Sequence, residues 1–507
     1  MSRKTAAALF LTRPGPYGPE VFLAERAPEL RFFGGYHALP GGTLAAADAA
    51  GDADADTALE RCALRELFEE TGLLLHELVA ANAVSDQLAD VRRMMVSQDE
   101  APAAAAPAAF ADLLAGARAP ARLQAVCRIE TPPFAPVRYD TVFYHVPMAA
   151  VRHGTCGTEP DIWKGELVGG RFWHPSAALD AWRRGDLLLV PPVVILLELL
   201  EQHGTLDTFC AAAAQLAEGY RRGRLHQVRF VPGVVLAPLR TPTLPPATTT
   251  NCYVIGRDEL WIVDPGSPEA AEQQRLLDLL DELCAKGARL GGILSTHHHP
   301  DHIGGINALS TARNLPVRGH ALTMERLPKG HRQGAPLADG ETVALGTSPD
   351  GKPGWHLRAI HTPGHDRGHL CFHESRYGTL VAGDMLSTIS TIIVDPPEGH
   401  LATYLASLDR LLQEPMQALF PAHGPPQRDG QKLVRQYLRH RRQREASLVE
   451  AMKAGPATAE QLLPRVYWDA DPSLHRFAAR SLLAGLEKLA EEGRARCDGG
   501  AWRLQPE

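Results

Sequence analysis

The sequence predicts an α/β protein of several domains, and three observations lead to this prediction. Its 507 residues correspond to roughly three domains at about 150 residues each. From about residue 226 to 425, strand-like and helix-like segments alternate, which is typical of an α/β layered domain. From about residue 430 the pattern is helical, and it closes with "GRARCDGGAWRL", a predicted hairpin.

The pattern along the chain predicts four parts. Residues 1–205 contain short strand-like runs around one helical stretch, "TALERCALRELFEETG". Residues 206–225 have a helical pattern that we interpret as a linker helix. Residues 226–428 form the predicted α/β layers, and residues 429–507 form the helical C-terminal domain.

Composition excludes some function classes. Apolar residues make up 45% and charged residues 22% of the chain, which is ordinary for a globular protein. The net charge of −7 gives no global electrostatic case for a nucleic-acid binder. The eight cysteines occur singly, which favours a reducing, cytoplasmic location. The most apolar segment, 187–200, is shorter than the ~20 residues that a membrane span needs.

The densest group of ligand-type side chains lies in "ILSTHHHPDHIGG", residues 293–305. A predicted strand ends there and releases a loop. His297 and His299 are two apart, so in an extended loop they point to the same side. Asp301 and His302 follow at the start of a predicted helix. Imidazole and carboxylate suit Zn²⁺, Fe or Mn²⁺, so this loop offers ligands for two adjacent metal ions.

Further candidate ligands stand at predicted strand ends later in the chain. His365 follows a Pro-Gly turn in "HTPGHDRGH", Asp384 follows the buried run "TLVAG", and His423 follows "ALFPA". With these elements in order, residues 226–425 resemble the metallo-β-lactamase superfamily in its glyoxalase II-like branch. The resemblance implies an αββα sandwich and a dinuclear hydrolase.

The resemblance also implies a ligand set. One metal would be held by His297, His299 and His365, the other by Asp301, His302 and His423, with Asp384 bridging. Asp264, in "IVDPGS", matches the aspartate that supports the metal loop from outside. Two bound cations lower the pKa of water, so that a hydroxide is available at neutral pH, and Asp301 could steer its proton.

Other histidines compete for these roles. His361 and His369 flank His365 at four-residue spacing. We expect His361 outside the ligand set and His369 on the pocket wall, with contact to substrate as the alternative. We expect His298 in a hydrogen-bonded turn and His373 on the surface.

A second site is predicted near the N-terminus. Glu66, Glu69 and Glu70 share one face of a helix at spacings i, i+3 and i+4, and such adjacent carboxylates repel unless a cation lies among them. A Mg²⁺ or Mn²⁺ ion would balance their charges. The alternative is a solvated acidic helix face.

The surrounding residues resemble a Nudix box, a motif of α/β/α-fold diphosphate hydrolases. Its second half is matched by Arg65, Glu66, Leu67, Glu69, Glu70, Gly72 and Leu73. Gly42 and Asp48 match the first half, but Asp48 replaces a glutamate and about nine extra residues separate the halves. Segments between residues 5 and 200 resemble the coenzyme A diphosphatase-like members, which implies cleavage of coenzyme A or its thioesters. The resemblance also implies that Mg²⁺ or Mn²⁺ is bridged to a diphosphate, with Glu66 and Glu70 as catalytic residues.

The C-terminal tail resembles the winged-helix-like tail of lactamase-β-2-like proteins, some of which are single-strand endoribonucleases. Its first helix carries a basic run: Arg435, Arg439, Arg441, Arg442 and Arg444. We interpret the run as a solvated helix surface; an anion-binding wall for phosphate-bearing substrates is the alternative.

The predicted function is therefore a fused two-site hydrolase. Two Zn²⁺ (or Fe or Mn) ions would serve hydrolysis of small-molecule thioesters or esters, such as acyl-coenzyme A derivatives. The Nudix-like site would cleave a diphosphate-linked nucleotide with Mg²⁺ or Mn²⁺. A metal-dependent endoribonuclease is the alternative, and a nucleotide sensor is an alternative for the N-terminal domain. We expect a small-molecule partner and no membrane.

Overall fold

The computed structural model describes residues 2–50, 54–75, 85–97, 100–115, 123–153, 159–469, 471 and 474–506. Residues 51–53, within the acidic insertion between the two halves of the Nudix-like motif, therefore lie outside the described residues. The chain separates into two compact units, Met1–Pro232 and Gly233–Glu507.

The first unit contains both strands and helices. Its strands are β1 Ser2–Gly15, β2 Gly18–Arg26, β3 His37–Ala38, β4 Gly41–Thr43, β5 Leu73–Leu75, β6 Gln124–Glu130, β7 Val137–Pro147, β8 Val151–His153, β9 Leu167–Trp173 and β10 Val228–Val231. Its helices are α1 Ala55–Thr71, α2 Ser85–Met95, α3 Glu100–Ala115, α4 Pro175–Arg184, α5 Pro191–His203 and α6 Leu206–Arg221.

A mixed sheet organises this unit, and helices cover both of its faces. The strand order is β3-β2-β1-β7-β6, with β4 paired to β1 and β9 paired to β2. Side chains of a strand alternate between faces, so Leu9 packs with α1 residues such as Leu67, whereas Phe10 packs with Phe209 of α6. The predicted α/β/α layering is confirmed.

Two details bear on the predicted boundaries. The helix that the sequence suggested as a linker, α6, packs into the core of the first unit through Phe209, Ala213 and Ala217. The first unit also extends to Pro232. The four-part division of the chain stays a prediction.

The apolar stretch 187–200 contributes to α5, and none of the described helices is both long and apolar enough to cross a bilayer.

The second unit contains the following elements. Its strands are β11 Val234–Arg240, β12 Thr249–Ile255, β13 Glu259–Val263, β14 Arg289–Leu294, β15 Pro316–Arg318, β16 Arg332–Gln333, β17 Thr342–Thr347, β18 Pro353–His361, β19 Leu370–Glu374, β20 Thr379–Gly383, β21 Ala418–Pro421, β22 Gln427–Arg428, β23 Ala495–Asp498 and β24 Ala501–Leu504. Its helices are α7 Ala270–Cys284, α8 Pro300–Ile303, α9 Ile306–Arg313, α10 Ala321–Met324, α11 Leu401–Leu411, α12 Gly430–Met452, α13 Ala459–Val466 and α14 His475–Glu491.

Strands β11 to β22 form the two sheets of the predicted αββα sandwich. One sheet runs from β11 to β16 in sequence order, and the other runs from β17 to β22. The sheets meet through side chains such as Tyr253 and Phe420, whose ring centroids are 5.5 Å apart. The loops after β13, β14, β18, β20 and β21 carry the candidate site residues.

The C-terminal part is helical and ends in a hairpin, as predicted. Helix α12 joins two cores: Val434 and Leu438 pack with the second sheet and α11, whereas Leu448 and Met452 pack with α13, α14 and the hairpin β23–β24. The helix is therefore part of the sandwich at one end and part of the winged-helix-like domain at the other.

Candidate metal centres

The histidine-rich loop begins where β14 ends, and its local geometry follows the sequence pattern. His297 Nε2 and His299 Nδ1 lie 3.0 Å apart, so these two side chains do point to the same side. Pro300 then starts the short helix α8, because its fixed φ suits a first helical position. His298 turns away and pairs with Asp366.

Four potential ligand atoms converge in a first cluster. It comprises His297, His299, His365 and Asp384, whose ligand atoms all lie within 4.8 Å of one another. His365 Nε2 lies 3.0 Å from His299 Nδ1 and 3.5 Å from Asp384 Oδ2. The packing of the two sheets thus brings together side chains from three separate loops.

A second cluster lies beside the first, and Asp384 faces both. Its members are Asp301, His302 and His423. Asp384 Oδ1 is 3.5 Å from His302 Nε2 and 3.3 Å from His423 Nε2, while Oδ2 points to the first cluster. Asp301 Oδ2 is 3.5 Å from His423 Nε2. One carboxylate therefore presents one oxygen to each cluster, as a bridging ligand would.

The outer nitrogens of four of these imidazoles are held by oxygen acceptors. The contacts of these Nδ1 atoms are His297 to Thr296 Oγ1 at 2.9 Å, His302 to Asp264 Oδ2 at 2.8 Å, His365 to Ile393 O at 2.8 Å and His423 to Thr249 O at 3.2 Å. The carboxylate and carbonyl oxygens can only accept, so Nδ1 of His302, His365 and His423 donates. Thr296 Oγ1 gives its own proton to Asp264, so Nδ1 of His297 donates as well. In the neutral rings the four Nε2 lone pairs point into the clusters.

These lone pairs fit metal ions. His302 Nε2 and Asp384 Oδ1 are buried and have no hydrogen-bond partner among the described residues. Buried polar atoms are nearly always satisfied, so two such atoms 3.5 Å apart indicate an absent partner. An imidazole and carboxylate donor set suits zinc, iron or manganese.

The electrostatics of the two clusters differ. Burial lowers the pKa of His297 well below its ordinary value and that of His299 to about 3, with neighbouring imidazoles adding to the effect. Burial acts in the same direction on His302, but Asp301, Asp384 and Asp264 outweigh it and raise the pKa of His302 well above its ordinary value. The second cluster therefore has excess carboxylate charge, which a cation would balance.

Asp264 lies outside both clusters and hydrogen-bonds to residues that support them. It stands just after β13 with a φ of 51°, an uncommon conformation for an aspartate. Its Oδ1 accepts the backbone N–H of Thr296 at 2.8 Å, and its Oδ2 accepts protons from Thr296 Oγ1 and His302 Nδ1. The side chain is buried, so it fixes the orientation of the histidine-rich loop.

His369 has a role that the sequence did not reveal. It is fully buried, and its Nε2 accepts the backbone N–H of Asp384 at 3.1 Å, while Nδ1 contacts Thr362 Oγ1. Because Nε2 is occupied in this way, His369 orients Asp384 and is not a ligand. Gly383 allows the approach, since a Cβ there would lie 2.6 Å from His369 Nε2.

The remaining histidines lie outside the two clusters. His361 Nε2 contacts Arg367 O, and its ring stacks on His320 with centroids 4.2 Å apart. The prediction that His373 lies on the surface was wrong. It is buried and its Nε2 donates to Pro415 O at 2.7 Å, because β19 is covered on both faces.

In the first unit, α1 carries the three glutamates around a buried arginine. Arg65 Nη1 donates to Glu66 Oε1 at 2.8 Å and lies 3.5 Å from Glu69 Oε2. The other edge of its guanidinium binds Asp48, with Nε 3.0 Å from Oδ1 and Nη2 2.9 Å from Oδ2. Asp48 thus anchors Arg65, and Arg65 orients two of the glutamates.

A glycine loop approaches the same helix. Gly41 N donates to Glu70 Oε2 at 2.9 Å. A Cβ on Gly42 would lie 2.3 Å from Glu66 Oε1, so a larger residue there would displace the Glu66 carboxylate. Burial raises the pKa of Glu69 to about 7, and burial together with Glu66 raises that of Glu70 well above its ordinary value.

The glutamates are close together but do not converge as tightly as the histidine clusters. Among the described residues, the groups whose ligand atoms all lie within 4.8 Å of one another belong to the second unit. Burial, with the negative charge of Glu66 adding to it, raises the pKa of Glu69 and Glu70, and a bound cation would counteract both effects. The assignment of these glutamates as metal ligands stays a prediction.

Comparison with protein families gives three matches in the predicted order. Residues 1–104 match the model of the NUDIX domain. Residues 245–423 match that of the metallo-beta-lactamase superfamily, and residues 458–502 match that of the beta-lactamase associated winged helix domain.

Individual relatives share less than 30% identity with this chain over about half of its length. The beta-lactamase-like protein 2 homolog of Drosophila melanogaster is 28% identical over 265 residues, which cover 50% of this chain and 86% of the relative. The atrochrysone carboxyl ACP thioesterase nsrC of Aspergillus novofumigatus is 28% identical over 48% of this chain and 74% of its own length. The structure of the metallo-beta-lactamase family protein TTHA1429 from Thermus thermophilus matches 55% of this chain and 100% of its own, with 27% identity and a TM-score of 0.45.

Proposed function

Because the chain is a hydrolase that joins a Nudix domain, a metallo-beta-lactamase domain and its associated winged helix, we propose that it has two hydrolytic sites. The clusters around Asp384 would cleave thioesters or esters of small acyl groups, acyl-coenzyme A derivatives among them. The site on α1 would cleave the diphosphate of a nucleotide such as coenzyme A. The observation that carries the first proposal is the placement of the two Asp384 oxygens, one facing each cluster.

The proposed ligands divide between two ions. The first would be held by His297, His299 and His365, the second by Asp301, His302 and His423, with Asp384 shared. A pair of bound divalent cations supplies a water of lowered pKa and polarises the oxygen of the scissile group.

The chain's own residues would then orient the ligands and accept a proton. Asp301 is half-buried at the edge of the second cluster, with Oδ2 3.5 Å from His423 Nε2. With one carboxylate oxygen holding the second ion, the other oxygen of Asp301 would accept the proton of the attacking water. Asp264 and His369 keep His302 and Asp384 in place, so little reorganisation is needed when the substrate arrives.

The choice of a thioester rests on two supports. One of the relatives is named atrochrysone carboxyl ACP thioesterase. The second support is the fusion itself, since a Nudix site for coenzyme A and a thioesterase site would act on two bonds of one acyl-coenzyme A molecule.

The proposal is tested with the full chain loaded with Zn²⁺ or Mn²⁺ and a panel of acyl-coenzyme A chain lengths. We expect release of free thiol, its loss on chelation and its return when metal is restored. Asp384→Asn should lose the activity, while Glu70→Gln, which changes only the α1 site, should keep it. Absence of thiol release from every acyl chain by the metal-loaded protein would refute the proposal.

The α1 site is tested separately, by release of nucleoside phosphate from coenzyme A with Mg²⁺ or Mn²⁺. We propose Glu66 and Glu70 as catalytic residues and Glu69 as a further ligand. Asp384→Asn should leave this reaction intact. If Glu70→Gln retains nucleotide binding and the wild-type chain shows no turnover, the first unit acts as a sensor.

The ribonuclease alternative depends on the arginine run, and the structure engages part of that run internally. Arg441 is buried and donates to Ile392 O, and Arg444 donates to Val466 O and Asp469. An anion-binding wall would have to be built from the other three arginines of the run, so we favour the thioesterase. Cleavage of labelled single-stranded RNA by the metal-loaded chain would reverse this preference.

A further inference from the structure

One loop of the second unit is connected to several of the proposed ligands. We name residues 385–395 the ligand loop, because they follow directly after Asp384. Ile393 O, near the far end of the loop, accepts the Nδ1 proton of His365 at 2.8 Å. This bond sets the ring orientation of His365 and directs its Nε2 into the first cluster.

The ligand loop also touches the second cluster. Thr388 N donates to His423 O at 3.2 Å, and Ser387 Oγ donates to the same carbonyl at 3.2 Å. A displacement of the loop would therefore be transmitted to Asp384, His365 and His423 together.

Helix α12 holds this loop from the C-terminal side. Tyr437 Oη accepts the backbone N–H of Ser387 at 3.0 Å and lies 2.7 Å from Ser390 O. One turn further along the helix, Arg441 donates through Nη2 to Ile392 O. Residues four apart lie on the same helix face, so Tyr437 and Arg441 form one continuous contact.

The Arg441 contact is unusual in its chemistry. The side chain is 8% exposed, and its guanidinium lies 5.3 Å from the centroid of the Tyr404 ring. Burying a guanidinium is costly, and here Nη2 of Arg441 donates to the backbone carbonyl of Ile392, the residue before Ile393. Tyr404 in turn donates to Met385 O at 2.8 Å, so the start of the ligand loop is held as well.

A second C-terminal helix, α14, holds the end of the ligand loop. Arg480 donates through Nε to Asp395 and through Nη2 to Pro396 O. Just beyond, His400 Nε2 lies 2.8 Å from a carboxylate oxygen of Glu491. Both contacts come from the part of the chain that matches the associated winged helix domain.

We infer that the C-terminal segment forms part of the metal centre, with Arg441 as a positioning residue that holds Ile392, and through Ile393 the ring of His365, in the ligating orientation. The inference rests on the two-metal centre proposed above. It gives the winged-helix-like domain a role in retaining the metal of the first cluster, and it explains why one arginine of the basic run faces inwards.

The test compares two arginines of the same helix. Arg441→Met removes the donor to Ile392 O, whereas the control Arg444→Met removes donors to Val466 O and Asp469, which do not touch the ligand loop. Chelator competition on the full-length, Zn²⁺-loaded chain measures metal affinity without any substrate. Outer contacts of ligands change metal affinity by about 10-fold to 100-fold, so we expect one of two Zn²⁺ ions to bind about 10-fold more weakly in Arg441→Met.

Two further variants keep the test informative if Arg441→Met folds poorly. Arg441→Lys restores one donor and should recover part of the affinity. Arg480→Met removes an exposed contact at the other end of the loop, so it should retain the fold. It should also speed amide hydrogen exchange across 385–395.

The outcomes separate the two proposals. A wild-type chain that binds fewer than two metal ions would overturn the proposed centre and the inference with it. A wild-type chain that binds two, with Arg441→Met holding both as tightly as Arg444→Met does, would overturn the inference alone.

Discussion

His302 donates its Nδ1 proton to Asp264 Oδ2 at 2.8 Å, and both side chains are buried. Asp264 stands after β13 and His302 lies in α8, after β14, so the bond links the ends of two parallel neighbouring strands. Because Nδ1 of His302 is bound to Asp264, Nε2 is the nitrogen that faces Asp384.

Asp264→Asn should weaken metal binding in the second cluster. The amide has a single accepting oxygen, so it cannot replace both carboxylate oxygens, of which one accepts the backbone N–H of Thr296 and the other accepts from Thr296 Oγ1 and His302 Nδ1. We therefore expect the His302 ring to lose its orientation. We expect about 10-fold to 100-fold lower metal affinity, measured by chelator competition. The control, Asp281→Asn, removes an exposed pair with Arg313 and should change nothing. Equal affinities in the two variants would contradict the role of Asp264.

His369→Leu should displace Asp384. The variant leaves the buried N–H of Asp384 without its acceptor, so the carboxylate that faces both clusters is no longer held. We expect metal content below that of the wild-type chain and about 10-fold or greater loss of metal affinity, determined by elemental analysis and competition.

His373→Leu is the matched control for this prediction, because it also removes a buried histidine but one that donates to Pro415 O, away from the clusters. It should lower the temperature of thermal unfolding while keeping the metal. Retention of metal by His369→Leu would show that Asp384 needs no such support.

Glu70→Gln should abolish diphosphate cleavage by the first unit. The substitution preserves an acceptor for Gly41 N but removes the charge proposed to hold a cation and to act as a base. General-base catalysis contributes about 100-fold to 10,000-fold, so we expect a loss of turnover in that range. Glu29→Gln, at an exposed position of the same unit, serves as control. Turnover equal to that of the control would remove Glu70 from the mechanism.

Gly42→Ala should impair the same reaction by a steric route. The new Cβ would meet Glu66 Oε1, which must then move out of its contact with Arg65. We expect reduced turnover with an unfolding temperature near that of the wild-type chain. Gly165→Ala adds its Cβ into open space and should be neutral. Full turnover in Gly42→Ala would show that the position of Glu66 is not critical.

Much of the architecture followed from local patterns. The alternation of strands and helices, the helical tail with its hairpin and the strand-end positions of the candidate ligands are properties of neighbouring residues. His373 shows the limit of that reasoning: its place in β19 could be read from the chain, but its burial depends on what covers the strand. His369 and Thr296 were likewise identified as supports only through their contacts with Asp384 and Asp264, which lie in other loops.

The types of donor, their order, and the placement of His297 and His299 on one side of their loop follow from the chain alone, because covalent spacing and backbone geometry fix them. The folded structure was needed to show that one oxygen of Asp384 faces each cluster and that Arg441 reaches the ligand loop. Those distances join segments far apart in the chain, and they are set by how two sheets and a C-terminal helix pack around a common core.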